Sequence, residues 1–277
     1  MSFDVFAIIL LGAALHTTWN AVVKGGGDKL LTTCMITSIA SLIALAIIPF
    51  LELPAKESWP FIGASVMFQV LYFVLVAWTY RIADMSQTYP IMRGTAPLLV
   101  AAVSVFLLSE TLSAFAWTGI AVISIGILSM AVAPSAGPRK GLILALVNAG
   151  VIAGYTLIDG LGVRKSGAPA AYTLWIFLLT GIPLAAWAFT TRRREFCHYL
   201  TRHWRPGVVG GFGTVASYGL ALWAMTAAPI ATVSALRETS ILFGVVISAL
   251  VLKEQLTRVR IVAAGLIAAG AMVLRLG

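Results

Sequence analysis

Apolar stretches of about 20 residues recur along the chain, separated by short polar turns, and each is long enough to cross the roughly 30 Å hydrocarbon layer of a bilayer. Dividing the sequence at charges, prolines and glycine-rich turns predicts ten helices, at residues 3–23, 30–53, 59–83, 87–108, 112–132, 141–163, 170–189, 207–227, 230–252 and 259–274. The connections are very short except around residues 192–205, which leaves no room for a soluble domain. The first stretch carries Asp4 in place of a basic start and lacks a convincing small-residue cleavage site, so it reads as a span and not as a cleaved signal. The expected fold class is an all-α integral membrane protein.

Composition agrees. Of 277 residues, 60% are hydrophobic and 10% charged, against roughly a quarter charged in an ordinary soluble domain. Net charge is +9, but the cations sit between the apolar stretches, where they report topology and not nucleic-acid binding. The connections after helices 1, 3, 5, 7 and 9 carry 13 Lys and Arg: Lys24, Lys29, Arg81, Arg139, Lys140, Arg192, Arg193, Arg194, Arg202, Arg205, Lys253, Arg258 and Arg260. The other face has four: Lys56, Arg164, Lys165 and Arg275. An excess of cytoplasmic cations would place both termini outside the cytoplasm. The cluster from Arg192 to Arg205, with His198 and His203, is expected to lie against anionic headgroups. Cys34 and Cys197 have no metal-like spacing, and no cofactor or metal is implied.

The chain also repeats itself. Residues 89–130 align without gaps to 233–274 at an offset of 144, with nine of 42 positions identical: Arg93/Arg237, Thr95/Thr239, Leu98/Leu242, Ser104/Ser248, Leu108/Leu252, Glu110/Glu254, Leu112/Leu256, Ile123/Ile267 and Gly126/Gly270. Chance could match leucines in an apolar chain, but not easily a rare intramembrane arginine and a helix-end glutamate in one register. The unit is five helices, at 1–134 and 138–277. An odd number of crossings makes the second copy enter from the opposite side, giving an inverted repeat.

These residues carry a resemblance. Two five-helix repeats, the Trp19-Asn20 pair late in helix 1, and an arginine followed by an apolar run and Glu-x-Leu (Arg93 to Glu110-Thr111-Leu112, and Arg237 to Glu254-Gln255-Leu256) resemble the EamA branch of the drug/metabolite transporter superfamily over essentially the whole length. The resemblance implies ten helices around a central cavity lined mainly by helices 1, 3, 4, 6, 8 and 9, and export of small metabolites, amino acids being a frequent class. It also implies a multi-pass protein of a bacterial-type inner membrane. The orientation departs from the family, many of whose ten-span members keep both termini in the cytoplasm.

Ionisable groups in hydrocarbon cost at least about 2.5–3.5 kcal/mol, so each needs a partner or a wet cavity. Arg93 and Arg237 either touch the cavity or snorkel toward headgroups. Glu238 pairs with Arg237 or with another cation, though adjacent helical positions do not face one another. His16 and Asn20, four apart, share a face with Trp19 nearby, and bind either substrate or a neighbouring helix. His16 titrates nearest neutrality, making it the candidate for proton coupling. Gln69 and Tyr72 share a face of helix 3. Tyr72, Tyr155 and Tyr218 near mid-span, with Trp78, Tyr89 and Trp223, suit the walls of a cavity for a zwitterion or form core and interface belt. Asp159 reads as an end-of-helix partner of Arg164 and Lys165, while Glu110 and Glu254 read as caps for the helices that follow them. Pro90 and Pro97 flank Arg93 and would kink helix 4.

The chain has no HExxH, GxSxG or GxxxxGK[ST] motif, so neither an enzyme nor an ATP-driven pump is indicated. Channel filters and rings of like charge are absent as well. The expected function is secondary transport of small metabolites, amino acids foremost, by alternating access. Cationic drugs and sugar-linked or phosphorylated metabolites are the alternatives, followed by a structural membrane role. Expected partners are a small-molecule substrate, the lipid bilayer and protons as coupling ion, with the chain a monomer or weak dimer.

Overall fold

The computed structural model describes residues 1–131, 139–250 and 257–276. Among these described residues eleven α-helices follow one another: α1 (Phe3–Gly25), α2 (Lys29–Ile47), α3 (Trp59–Ile82), α4 (Met85–Phe106), α5 (Ala114–Ser129), α6 (Arg139–Ser166), α7 (Pro169–Thr191), α8 (Arg193–Ala227), α9 (Ile230–Arg237), α10 (Ser240–Leu250) and α11 (Arg258–Leu276). Nine segments among the described residues are long and apolar enough to cross a membrane, α9 and the start of α10 counting together as one. The tenth, α5, has 16 residues and spans about 24 Å at 1.5 Å per residue. The chain is an all-helical membrane protein of two inverted five-helix repeats. The proposed junction at 134–138, and Leu252, Lys253, Glu254, Gln255 and Leu256, lie outside the described residues.

Local chemistry explains the helix starts. Ser2 and Ser113 accept hydrogen bonds from Val5 and Ala116 at the first turns of α1 and α5, and Asp28 accepts from Leu30 and Leu31 to begin α2. Pro60 and Pro169 sit in first turns, where no intrahelical donor is lost.

Two helices depart from the expected spans. The long connection expected at 192–205 is helical: α8 begins at Arg193 and bends at His203 (φ −120°), three residues before Pro206, whose ring cannot continue the preceding turn. Before the bend, Phe196 is buried with Tyr199 and Leu200 against α2, while Arg193, Arg194 and Arg202 stay exposed. The ninth span is broken at Glu238 and Thr239, between α9 and α10. By contrast, α4 stays helical through Pro90 and Pro97.

Packing follows the repeat. Under the pairing of helices 1–5 with 6–10, contact of α1 with α8 is the image of contact of α3 with α6, and contact of α4 with α6 is the image of α1 with the broken α9/α10 span; all four occur. On the pseudo-twofold axis, α5 packs against α11 through glycine. A Cβ on Gly270 would lie 2.8 Å from the Gly119 carbonyl, and one on Gly126 would lie 3.1 Å from the Ala263 carbonyl. Gly126 and Gly270 are repeat mates, as are positions 119 and 263, so the same close approach occurs twice with the copies exchanged. Outward faces carry Leu42, Leu45, Met67, Phe106, Ile143 and Phe212, exposed as lipid contact requires.

Candidate functional site

Ten of the thirteen candidate residues converge on one cavity of about 100 Å³ that is partly open to the exterior. His16, Trp19 and Asn20 reach it from α1, Gln69 and Tyr72 from α3, Tyr89 and Arg93 from α4, Tyr155 from α6, Tyr218 from α8, and Arg237 from α9. The contributions of α1 come from its second half, and those of α4 from its first turns. The cavity therefore runs from the cation-rich face to mid-membrane. Trp78 and Trp223 are not part of it. They point outward, 58% and 41% exposed, and so do not form the binding wall expected of them. Glu238 sits just behind the cavity, 4% exposed.

The arginines are held differently. Arg93 Nε donates to Glu238 Oε2 at 2.9 Å, both groups buried. Its Nη2 is buried and has no hydrogen-bond partner. The guanidinium of Arg237 lies over the Tyr218 ring, 4.9 Å from the centroid, and forms no ion pair among the described residues. Glu238 thus neutralises the arginine of the other repeat and not its own neighbour, as adjacent positions on a helix would lead one to expect. Glu238 stands at the break between α9 and α10, and its carboxylate reaches across to α4. Neither arginine snorkels to the surface.

Around them the wall is aromatic. Tyr72, Tyr155 and Tyr218 form an edge-to-face series with centroids 6.0 and 6.5 Å apart, and Phe177 joins Tyr218 at 6.1 Å. On α1, Trp19 Nε1 donates to His16 Nδ1 at 3.1 Å and Asn20 donates to the His16 carbonyl at 2.9 Å. His16 therefore presents Nδ1 as an acceptor inside its own helix, leaving Nε2 for the cavity. Gln69 donates to Ser65 at 3.1 Å.

Two sequence expectations are corrected. Asp159 does not pair with Arg164 or Lys165. It is fully buried and accepts hydrogen bonds from Tyr172 at 3.2 Å and Tyr218 at 2.5 Å, because on α6 it faces α7 and α8 about two turns before the helix end. Glu110 does not cap α5, whose first turn Ser113 holds. It accepts instead from the Ile230 N–H at the start of α9, at 3.2 Å, and from Arg164 at 2.7 Å. Arg164 also donates to the carbonyls of Met225 and Ala228 at the end of α8. This clasp ties the first repeat to the second on the face away from the cavity mouth. Glu254, the repeat mate of Glu110, lies outside the described residues.

The cavity also takes Thr33, Ile36 and Thr37 from α2 and Phe177, Thr180 and Gly181 from α7, two helices outside the expected lining set. The sequence held a signal for the first group. Thr33 and Thr37 stand four apart on an apolar helix, the same spacing that singles out His16 and Asn20. Thr180 Oγ1 is buried without a partner.

The EamA-like transporter family matches residues 139–276, the second repeat. A solved crystal structure superposes with a TM-score of 0.79 at 17% identity, covering 99% of this chain and 98% of the other, a likeness of fold. No curated protein matches the sequence. With the whole chain folded as a membrane protein of two such repeats, it belongs to the EamA-like transporter family of the drug/metabolite transporter superfamily.

Proposed function

We propose that this membrane transporter exports small carboxylate-bearing metabolites, amino acids foremost, across a bacterial-type inner membrane by alternating access between the repeats at 1–134 and 138–277. One observation carries the reading: two arginines from symmetry-related positions face one cavity, and among the described residues only one acid, Glu238, is ion-paired to either of them. Arg93 keeps a buried unpartnered Nη2, and Arg237 is held only by a ring. A guanidinium fork matches a carboxylate. The tyrosines and Phe177 supply apolar area for a side chain and a face for an ammonium group.

A cationic substrate fits less well, since it would need an acid on the wall. Glu238 is engaged by Arg93, and Asp159 is screened behind Tyr172 and Tyr218. With the cation-rich face cytoplasmic, the cavity mouth is on the side from which an exported metabolite loads. The chain shows no nucleotide motif, so flux runs on gradients.

Counterflow exchange in proteoliposomes, over a panel of radiolabelled amino acids, tests this. At least one member should exchange in the parent protein, and Arg237→Ala should slow it to the level of protein-free liposomes, with Arg93→Ala and His16→Ala also impaired. Exchange at the parental rate in all three variants overturns the site.

A further inference from the structure

The buried polar core contains an acid that carboxylate binding does not use. Asp159 is fully buried, and among the described residues no cation lies within ion-pair distance of it. The ionisable groups around it are Tyr155 on its own helix, Tyr172 on α7, Tyr218 on α8 and Arg237 on α9, while the Arg93–Glu238 pair stands beyond. From α3 come Ser65 and Gln69, both uncharged, and Tyr72; Lys56 and Glu57, in the turn packed on α6, are exposed.

Counting charge in this core gives two arginines against Glu238 and Asp159. With Asp159 ionised the sum is zero; with a proton on it the sum is plus one. Tyr218 joins the two states to the cavity. Its hydroxyl donates to Asp159 Oδ2 while its ring carries the Arg237 guanidinium. A protonated carboxyl must itself donate, and its present partners, Tyr172, Tyr218 and Ser65, all donate to it. Protonation therefore turns one of these hydroxyl oxygens into an acceptor, and where that is Tyr218 its own O–H is released toward the cavity. One proton then supplies both the uncompensated positive charge and an extra donor that a carboxylate at Arg237 requires.

We propose that Asp159 is a proton-binding site of this transporter, and that a proton on Asp159 and a carboxylate at Arg237 enter and leave the cavity together. The inference rests on the carboxylate reading above and adds the coupling ion. The proton moves from solvent to a carboxylate oxygen and back, and the substrate stays ionised. Export thus runs down the metabolite's own gradient and carries a proton with it, while an inward proton gradient drives the reverse flux. His16 is not needed as the carrier, since its Nδ1 is held as an acceptor by Trp19.

Two arms test it. Purified parent protein in detergent, titrated from mildly acidic to mildly alkaline pH, should show a protonated-carboxyl infrared band that fades as pH rises. The band should be absent in Asp159→Asn and shifted in frequency in Tyr218→Phe, which keeps the acid should the first variant fold poorly. A band absent from the parent, constant over the range, or unmoved in Tyr218→Phe overturns the proposal. In proteoliposomes, the amino acid found to exchange should accumulate in the parent under an inside-alkaline gradient, and Asp159→Asn should abolish accumulation while its counterflow becomes independent of pH. Parental accumulation by that variant overturns the proposal and leaves the carboxylate reading standing. If no amino acid exchanges, that reading falls and the infrared arm still decides on Asp159.

Discussion

Arg93 on α4 donates to Glu238 across 2.9 Å, although the repeat mate of Arg93 is the residue beside that glutamate, Arg237. Where the second repeat has Glu238, the first has Gly94, against which Leu128 packs closely enough that a Cβ would lie 2.8 Å from its Cγ. The duplicated arginines are thus unequal: one is neutralised, and the other is left facing the cavity.

Removing either partner of the buried pair strands a charge. Glu238→Gln and Arg93→Ala should each destabilise the protein by about 3–5 kcal/mol, and the double variant by less than the sum. Chemical unfolding of the purified variants in detergent reads this. Additive losses would mean that the two groups do not depend on each other.

The clasp of Glu110, Arg164 and the start of α9 closes the face opposite the cavity mouth. Arg164→Ala removes an ion pair and two hydrogen bonds to carbonyls at once. In a Cys197→Ser background, Ala231→Cys, buried below the clasp, should be protected from a membrane-impermeant thiol reagent and become labelled when Arg164 is also replaced. Equal labelling with and without Arg164 would show that the clasp does not hold this face shut.

Glycine at the axis is a steric requirement. Gly270→Ala places its Cβ 2.8 Å from the Gly119 carbonyl, a backbone atom that cannot turn aside. The helices must separate, at a cost of about 1–3 kcal/mol. Gly265→Ala on the same helix, with nothing within 4 Å of its Cβ, is the control and should not lower the unfolding midpoint.

At the cation-rich face, Asp28 caps α2 and pairs with Arg192 at 2.7 Å. Burial would push its carboxyl up. The hydrogen bond from the Leu31 N–H, then Arg192 and the Leu30 N–H, outweigh burial and hold it below the usual carboxylate range. Because the folded value is the lower one, the stabilisation is present above the unfolded carboxylate pKa and is lost as pH falls through the folded value. Asp28→Ala should cost about 1 kcal/mol near neutrality, and the gap between variant and parent should close in acid. A gap that is constant with pH would assign the loss to packing.

Much of this architecture was legible in the amino-acid order. Apolar runs matched to bilayer thickness set out ten crossings, and one register carrying Arg93/Arg237 and Gly126/Gly270 disclosed the inverted duplication. Both follow from rules local in sequence, since lipid demands apolar length and an odd repeat reverses direction. The cavity residues His16, Tyr72, Tyr155, Tyr218 and the arginines were legible too, because polar atoms on apolar helices must face protein or water. Partnership was not. That Glu238 serves Arg93, that Asp159 answers two tyrosines, that Glu110 starts a helix of the other repeat, and that Trp78 and Trp223 turn to lipid depend on the rotation of each helix about its axis. Rotation is set by packing between segments over a hundred residues apart, such as α4 against α9, and no pattern within one helix encodes it.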